Sequence, residues 1–223
     1  MTQQLTERTI KGLHAALVPE LPELPPSAAV LDIGCGTGAW LERLASLGFV
    51  HLHGIDLDIS RFGCKGATCS QANLDCDDLG LGDRRFDLIT AIEIVEHLEN
   101  PGRLFLHVSE YLTPNGWFLM TTPNIQSVHA RLRFLLNGKM KQFDDKGDNT
   151  HIYPVLTACL ERILPRHNLR IATRFSYPPS GSPTSRPSVR LASRLLGLLL
   201  PDQYPGDIQC FLIQRNKGAE RAS

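Results

Sequence analysis

The sequence carries no excess charge of either sign. Lysine and arginine together number 23, as do aspartate and glutamate, so the formal net charge is zero. Proteins that grip nucleic acid generally carry surplus positive charge, so this balance counts against a nucleic-acid partner. No Cys-x-x-Cys pair occurs among Cys35, Cys64, Cys69, Cys76, Cys159 and Cys210. That excludes zinc-ribbon and thioredoxin-type chemistry and points to cytosolic thiols. No apolar run approaches the roughly 18–20 residues that a membrane span requires. Met1 to Arg8 holds no basic stretch leading into an apolar one, so no secretory leader is expected and a cytoplasmic location is.

What is present is an ordinary globular composition, 42% hydrophobic and 21% charged. Wholesale disorder is thereby excluded. The 223 residues suit one domain, taken here as 1–223. Surface scaling buries about 72% of such a chain, enough for a core without disulfides or a structural metal.

Patterning predicts a helix over residues 3–18, ended by Pro19, Pro22, Pro25 and Pro26. Strands are predicted at 28–33, 51–57, 68–72, 86–92, 117–122, 169–177 and 208–214. Helices are predicted at 40–47, 59–64, 101–112, 126–137 and 154–164, with a turn at Pro114-Asn115-Gly116. Strands alternating with helices give an α/β, doubly wound, mainly parallel sheet with helices on both faces. The last two strands suit an antiparallel edge. Residues 1–27 form a lead-in, 28–125 a core, and 126–223 an outer part with an insertion at 178–206. Within that insertion, 189–200 reads as an amphipathic helix too short to span a bilayer. Arg190 and Arg194 on its polar stripe loosely suit peripheral membrane contact, against plain packing or a lid.

The strongest signal is Val30-Leu31-Asp32-Ile33-Gly34-Cys35-Gly36-Thr37-Gly38. A strand enters a glycine turn, where positive φ and close ligand approach are possible, and a helix N-terminus follows. The second strand ends Gly54-Ile55-Asp56, where a carboxylate can accept both hydroxyls of a ribose. Gly34-x-Gly36-x-x-Ala39 also satisfies the loose dinucleotide fingerprint. Asp32 separates the two ligands. A pyrophosphate nearby would be repelled, whereas the sulfonium and ammonium of S-adenosylmethionine would be attracted.

These residues resemble motif I of the class I S-adenosylmethionine-dependent methyltransferases. The resemblance continues through Phe86-Asp87-Leu88-Ile89 and Leu112-Thr113-Pro114-Asn115-Gly116, covering about residues 28–125. It implies a Rossmann-like, seven-stranded sheet whose last two strands form a hairpin. It implies that Gly34, Gly36 and Gly38 line the amino-acid half of the cofactor and that Asp56, beside Leu57, binds its ribose. Asn73 and Leu74 would contact adenine, although many members have Asp where Asn73 stands. Ile92 would face the cofactor.

Beyond the fourth strand, Glu93-Ile94-Val95-Glu96-His97 resembles the matching stretch of ubiquinone-biosynthesis O-methyltransferases and of RNA 2′-O-methylating enzymes. In those relatives the acids and histidine accompany a divalent metal, and a later histidine completes the set. Thr122-Pro123-Asn124 and His151 are present here. On a helical turn Glu93, Glu96 and His97 would share a face, suiting Mg or Mn. A metal-free polar substrate site and a purely structural role stand as alternatives. His97 leads as a general base, ahead of His151 and His129. Arg131, Arg133, Lys139 and Lys141 suit either an anionic group or a solvated helix face.

The reading from sequence is therefore an O-methyltransferase acting on a small molecule, lipid or saccharide. The alternatives are an RNA 2′-O-methyltransferase and a catalytically silent fold binding the cofactor or a partner.

Overall fold

The computed structural model describes residues 5–145, 147–181 and 204–216. Its strands are β1 (Ala29–Ile33), β2 (His51–Asp56), β3 (Thr68–Gln71), β4 (Phe86–Ile92), β5 (Leu112–Pro123), β6 (Leu169–Tyr177) and β7 (Ile208–Arg215). They form one sheet in the order β3-β2-β1-β4-β5-β7-β6. The first five lie parallel, while β7 is antiparallel to both neighbours. The expected doubly wound sheet with an antiparallel edge is what forms.

The central strands are apolar because both their faces are covered. Val30, Leu31 and Ile33 of β1 and Leu88 and Ile89 of β4 are wholly buried. Strand β5 shows how one segment feeds two layers, since side chains alternate across a sheet. Phe118 and Met120 pack on one face with Leu104, Phe105 and Val108 of α3 (Pro101–Tyr111). Leu119 packs on the other with Leu13 and Leu17 of α1 (Leu13–Leu17) and Trp40, Leu41 and Leu44 of α2 (Ala39–Ser46). The outer helices are α4 (Val128–Asn137) and α5 (Thr157–Ile163), the latter continuing as a 3-10 turn over Leu164–His167.

Four local expectations are corrected. The first helix does not span 3–18. Gly12 sits at φ 86° and starts α1 only at Leu13, so residues 5–12 cross the molecule as a strap. No helix forms at 59–64, where Asp58 instead accepts the Ser60 N–H and the Ile59 carbonyl closes a turn with Phe62. Strand β5 begins at Leu112. Leu112 pairs with Phe86 and Trp117 with Leu88, so the Pro114-Asn115-Gly116 stretch is a register break inside the strand. Finally, Glu93 does not share a helical turn with Glu96 and His97. It takes φ 56°, and a 3-10 turn spans only Val95–His97. The amphipathic helix expected at 189–200 lies outside the described residues. All six cysteines are free thiols. No helix among the described residues is long and apolar enough to cross a membrane.

Candidate functional site

A cavity of about 470 Å³ opens beyond the carboxyl ends of β1, β2 and β4. This is where ligands bind in doubly wound sheets. Asp32, Gly34, Gly36, Asp56, Leu57, Asn73, Leu74, Ile92, Glu93 and His97 all line it. The turn after β1 is held by Gly34 N–H and Cys35 N–H, which donate to the Ile55 carbonyl at 2.7 and 3.0 Å. Gly34 has φ 78°, and a Cβ there would lie 2.0 Å from Ile94 Cδ1. Gly36, at φ 52°, has only Arg8 Cδ at 4.0 Å from the equivalent position, so its backbone faces open space. Gly38 differs from the other two. It stands behind the wall at φ 84°, packed against Cys64 and Phe62, and starts α2.

Two carboxylates frame the turn. Asp56 Oδ2 accepts the Gly36 N–H at 2.7 Å and Oδ1 accepts the Asp58 N–H at 3.0 Å. Lone pairs remain on both oxygens for a ligand. Asp32 is buried at the end of β1, where Thr90 Oγ1 donates to its Oδ1 at 2.6 Å. Burial pushes its pKa up to about 7, the Thr90 bond opposes that, and the Asp56 charge adds to it. Asn73 lies in the loop after β3, where its Oδ1 accepts the Asp75 N–H at 3.0 Å.

The acid and histidine cluster adjoins the cavity, which Glu93 and His97 line. Ligand atoms of Glu96, His97 and His151 all lie within 4.8 Å of one another. The Glu96 carbonyl brings the two segments together by accepting the N–H groups of Ile152 and Tyr153 at 2.8 and 2.9 Å. The Glu96 side chain is fully buried, and neither carboxylate oxygen has a hydrogen-bond partner. Burial and the Glu93 charge raise its pKa well above the carboxylate range. Glu93 stays outside the three-residue group. Its Oε1 accepts from Thr121 Oγ1 at 3.0 Å, and burial lifts its pKa to about 8.

Both histidines turn Nδ1 toward main-chain carbonyls. His151 Nδ1 lies 3.0 Å from the Gln142 carbonyl, and His97 Nδ1 lies 3.2 Å from that of Thr150. A carbonyl only accepts, so Nδ1 carries the hydrogen, and the lone pair of a neutral ring is then on Nε2. Burial and the neighbouring His151 ring hold the His97 pKa below the usual histidine value. His129 lies outside the cavity wall. Three of the basic residues downstream of β5 pair with acids: Arg133 with Asp144 and Lys141 with Asp207 away from solvent, and Lys139 with Asp145 at 2.6 Å on the exposed surface.

Sequence patterning missed several wall residues. Thr6, Arg8, Thr9 and His14 come from the strap and α1, Trp40 from α2, and Asp148 and Thr150 from the segment before His151. None sits in a motif. Only proximity to Gly38 and His151 in the chain hinted at Trp40 and Thr150.

A methyltransferase-domain family model matches residues 2–173. The chain belongs to that family and is a class I S-adenosylmethionine-dependent methyltransferase. Among curated relatives, the ubiquinone biosynthesis O-methyltransferase of Paraburkholderia phytofirmans is 31% identical over 103 residues. That stretch covers 43% of this chain and 44% of the relative. The Coxiella burnetii enzyme of the same name is 31% identical over 102 residues, 43% of each chain. The match thus spans less than half the length of these relatives. Among solved structures, an S-adenosylmethionine-dependent methyltransferase from Archaeoglobus fulgidus superposes with TM-score 0.64 at 21% identity, covering 91% of this chain and 93% of the other. One from Mesorhizobium loti gives TM-score 0.58 at 22% identity, covering 90% and 96%.

Proposed function

We propose that the protein transfers the methyl group of S-adenosylmethionine to a hydroxyl of a small molecule, lipid or saccharide. The observation that carries this reading is the convergence of Glu96 and His151 on His97, which itself lines the cavity. The names of the curated O-methyltransferase relatives support the hydroxyl acceptor.

On this reading the turn at Gly34 and Gly36 admits the amino-acid half, and Asp56 accepts the ribose hydroxyls. Asn73 and Leu74 flank adenine, and Ile92 closes the wall beneath the methyl group. Asp32 faces the cationic end. The sulfonium is already activated, so most of the rate comes from alignment and exclusion of water.

The donor set fits a divalent cation. Glu96 is a buried carboxylate without a partner, and each histidine offers Nε2 while Nδ1 holds a carbonyl, as metal-binding histidines commonly do. Glu96, His97 and His151 would hold Mg or Mn, with Glu93 behind them. When bound, such an ion supplies a lowered pKa to a coordinated hydroxyl. A metal-free reading rests on His97. Its lowered pKa leaves the ring neutral near pH 7, and Nε2 is then free to take the acceptor proton. An RNA hydroxyl ranks below a small acceptor, given the zero net charge and the ion-paired Arg133, Lys139 and Lys141.

The test is transfer of labelled methyl to phenols, polyprenylated phenols and saccharides, with Mn, Mg or EDTA. Transfer to a hydroxyl that depends on Glu96 and His151 supports the metal reading. Transfer unaffected by EDTA, with no Mn binding by calorimetry, leaves His97 as the base. Cofactor binding with no transfer to any acceptor class would favour the catalytically silent alternative.

A further inference from the structure

The turn that carries Gly34 and Gly36 also carries a thiol. Cys35 stands between them, is buried, and lines the cavity. Its Sγ lies 3.4 Å from Cys69 Sγ on β3, 34 residues away in the chain. Gly54 brings the two together. Across β1, β2 and β3, Asp32 stands beside Gly54 and Gly54 beside Cys69. A β-carbon at Gly54 would fall 2.6 Å from Cys35 Sγ and 2.9 Å from Cys35 Cβ. With no side chain there, Cys35 lies across β2 and reaches the next strand. Residues paired across parallel strands share a face, so Cys69 presents its sulfur on the side that Cys35 covers.

The two thiols are not equivalent. Cys69 Sγ donates to the Ser70 carbonyl at 3.9 Å, which leaves Cys35 as the donor between the sulfurs. Burial raises the pKa of both thiols, and the Asp32 and Asp56 charges add to it. The hydrogen bond opposes that rise at Cys69 and adds to it at Cys35. Cys69 is also the half-buried member of the pair. The thiolate is the form that attacks an oxidant. Cys69 is therefore the sulfur that an oxidant meets first, with Cys35 in contact to resolve it.

Resting on the cofactor reading above, we propose that Cys35 and Cys69 form a peroxide-sensitive dithiol that switches cofactor binding. The Cys69 sulfur attacks one oxygen of hydrogen peroxide, the O–O bond breaks, and water leaves, giving a sulfenic acid on Cys69. The Cys35 sulfur then attacks the Cys69 sulfur, the S–O bond breaks, and a second water leaves. One S–S bond has formed, both thiol hydrogens have left in water, and the peroxide has taken two electrons. A disulfide holds its sulfurs about 2.0 Å apart, so the 3.4 Å gap must close. Cys69 is held in the β2–β3 ladder, whereas Cys35 stands between two glycines at positive φ. The turn is the part that yields. Its shift disturbs the Cys35 N–H bond to the Ile55 carbonyl and the Gly36 N–H bond to Asp56 Oδ2, and the cavity side of the turn moves with them.

Treating the full chain with hydrogen peroxide, mapping its peptides by mass spectrometry and measuring S-adenosylhomocysteine affinity by calorimetry tests this. A Cys35–Cys69 cross-link should form, reverse with dithiothreitol, and weaken S-adenosylhomocysteine by about tenfold, the scale of one hydrogen bond to a charged group. Cys69→Ser should bind S-adenosylhomocysteine as the reduced unmodified protein does, and should lose no affinity in peroxide. Peroxide treatment that forms no Cys35–Cys69 bond, or that forms it and leaves affinity within about twofold, overturns the proposal while leaving the cofactor assignment intact. Reduced protein that binds no S-adenosylhomocysteine overturns both. Should Cys69→Ser fail to fold, the oxidised unmodified protein before and after dithiothreitol decides.

Discussion

Thr90 Oγ1 donates a 2.6 Å hydrogen bond to Asp32 Oδ1 across the β1–β4 junction, and both side chains are buried. Burial outweighs this bond and raises the Asp32 pKa to about 7. A carboxyl whose folded pKa lies above its unfolded value stabilises the fold fully below the unfolded pKa. That contribution is lost as pH rises through the folded pKa. The ligand-free protein should therefore lose stability between about pH 4 and pH 8, by a few kcal/mol at most from this group. Asp32→Asn should flatten the melting temperature over this window and weaken S-adenosylhomocysteine binding. A melting profile unchanged by Asp32→Asn would show that Asp32 is already ionised.

Asp56 should matter to the ligand more than to the fold. Its Oδ2 supports the Gly36 N–H, and the remaining lone pairs face the cavity. Asp56→Ala should weaken S-adenosylhomocysteine by about 2 kcal/mol, the scale of hydrogen bonds to a charged group. Titration calorimetry measures it. Affinity within twofold of the unmodified protein would remove Asp56 from the ribose.

How much of this was legible beforehand follows from range. The strands of the sheet were readable because each buried strand is a local apolar run, and the glycine turn because its backbone demands are local. The cavity wall from Asp32 to Ile92 follows from that register. The strap was unreadable, because Leu5, Ile10 and Leu13 keep helical spacing while Gly12 breaks the helix. The separation of Glu93 from Glu96 was also unreadable. Its positive φ is set by the main-chain and side-chain bonds it makes with Thr121, 28 residues away. Orientation of His97 by Thr150, 53 residues on, is equally a tertiary fact.

The glycine turn makes a graded prediction. Gly34→Ala forces a β-carbon into Ile94 and strains φ 78°, so it should cost about 2–4 kcal/mol in chemical denaturation. Gly36→Ala meets open space and carries only the strain of φ 52°, of order 1 kcal/mol. Its main effect should fall on cofactor affinity, by crowding the cavity. Equal losses of stability would mean that Ile94 moves aside freely.

Glu96 sets stability against metal binding. A buried carboxyl with no hydrogen-bond partner, beside Glu93, penalises its charged form. Its folded pKa is raised, so its contribution, like that of Asp32, declines as pH rises. Glu96→Gln should therefore raise the melting temperature at pH 8 in EDTA, by several degrees. Adding Mn should stabilise the unmodified protein and leave the variant unmoved. A variant that melts lower in EDTA, while still responding to Mn, would place the ion elsewhere.

Thr150 supplies the last test, because its hydroxyl joins His97 to Asp148. Its Oγ1 lies 2.8 Å from His97 Nδ1 and donates to Asp148 Oδ1 at 2.6 Å, so it accepts the Nδ1 hydrogen while held in place by the acid. Thr150→Val keeps the shape and removes both bonds. The His97 ring then loses the shorter of the two contacts that orient its Nδ1 hydrogen, while the Thr150 carbonyl contact at 3.2 Å belongs to the main chain and persists. Turnover should fall by about fivefold with cofactor affinity unchanged, since loss of one neutral hydrogen bond amounts to about 1 kcal/mol. Asp148→Asn should produce a smaller loss in the same direction, because it disturbs only the anchor of the hydroxyl. Loss of cofactor affinity in either variant, with turnover per bound complex preserved, would assign this pair to closing the cavity and not to orienting His97.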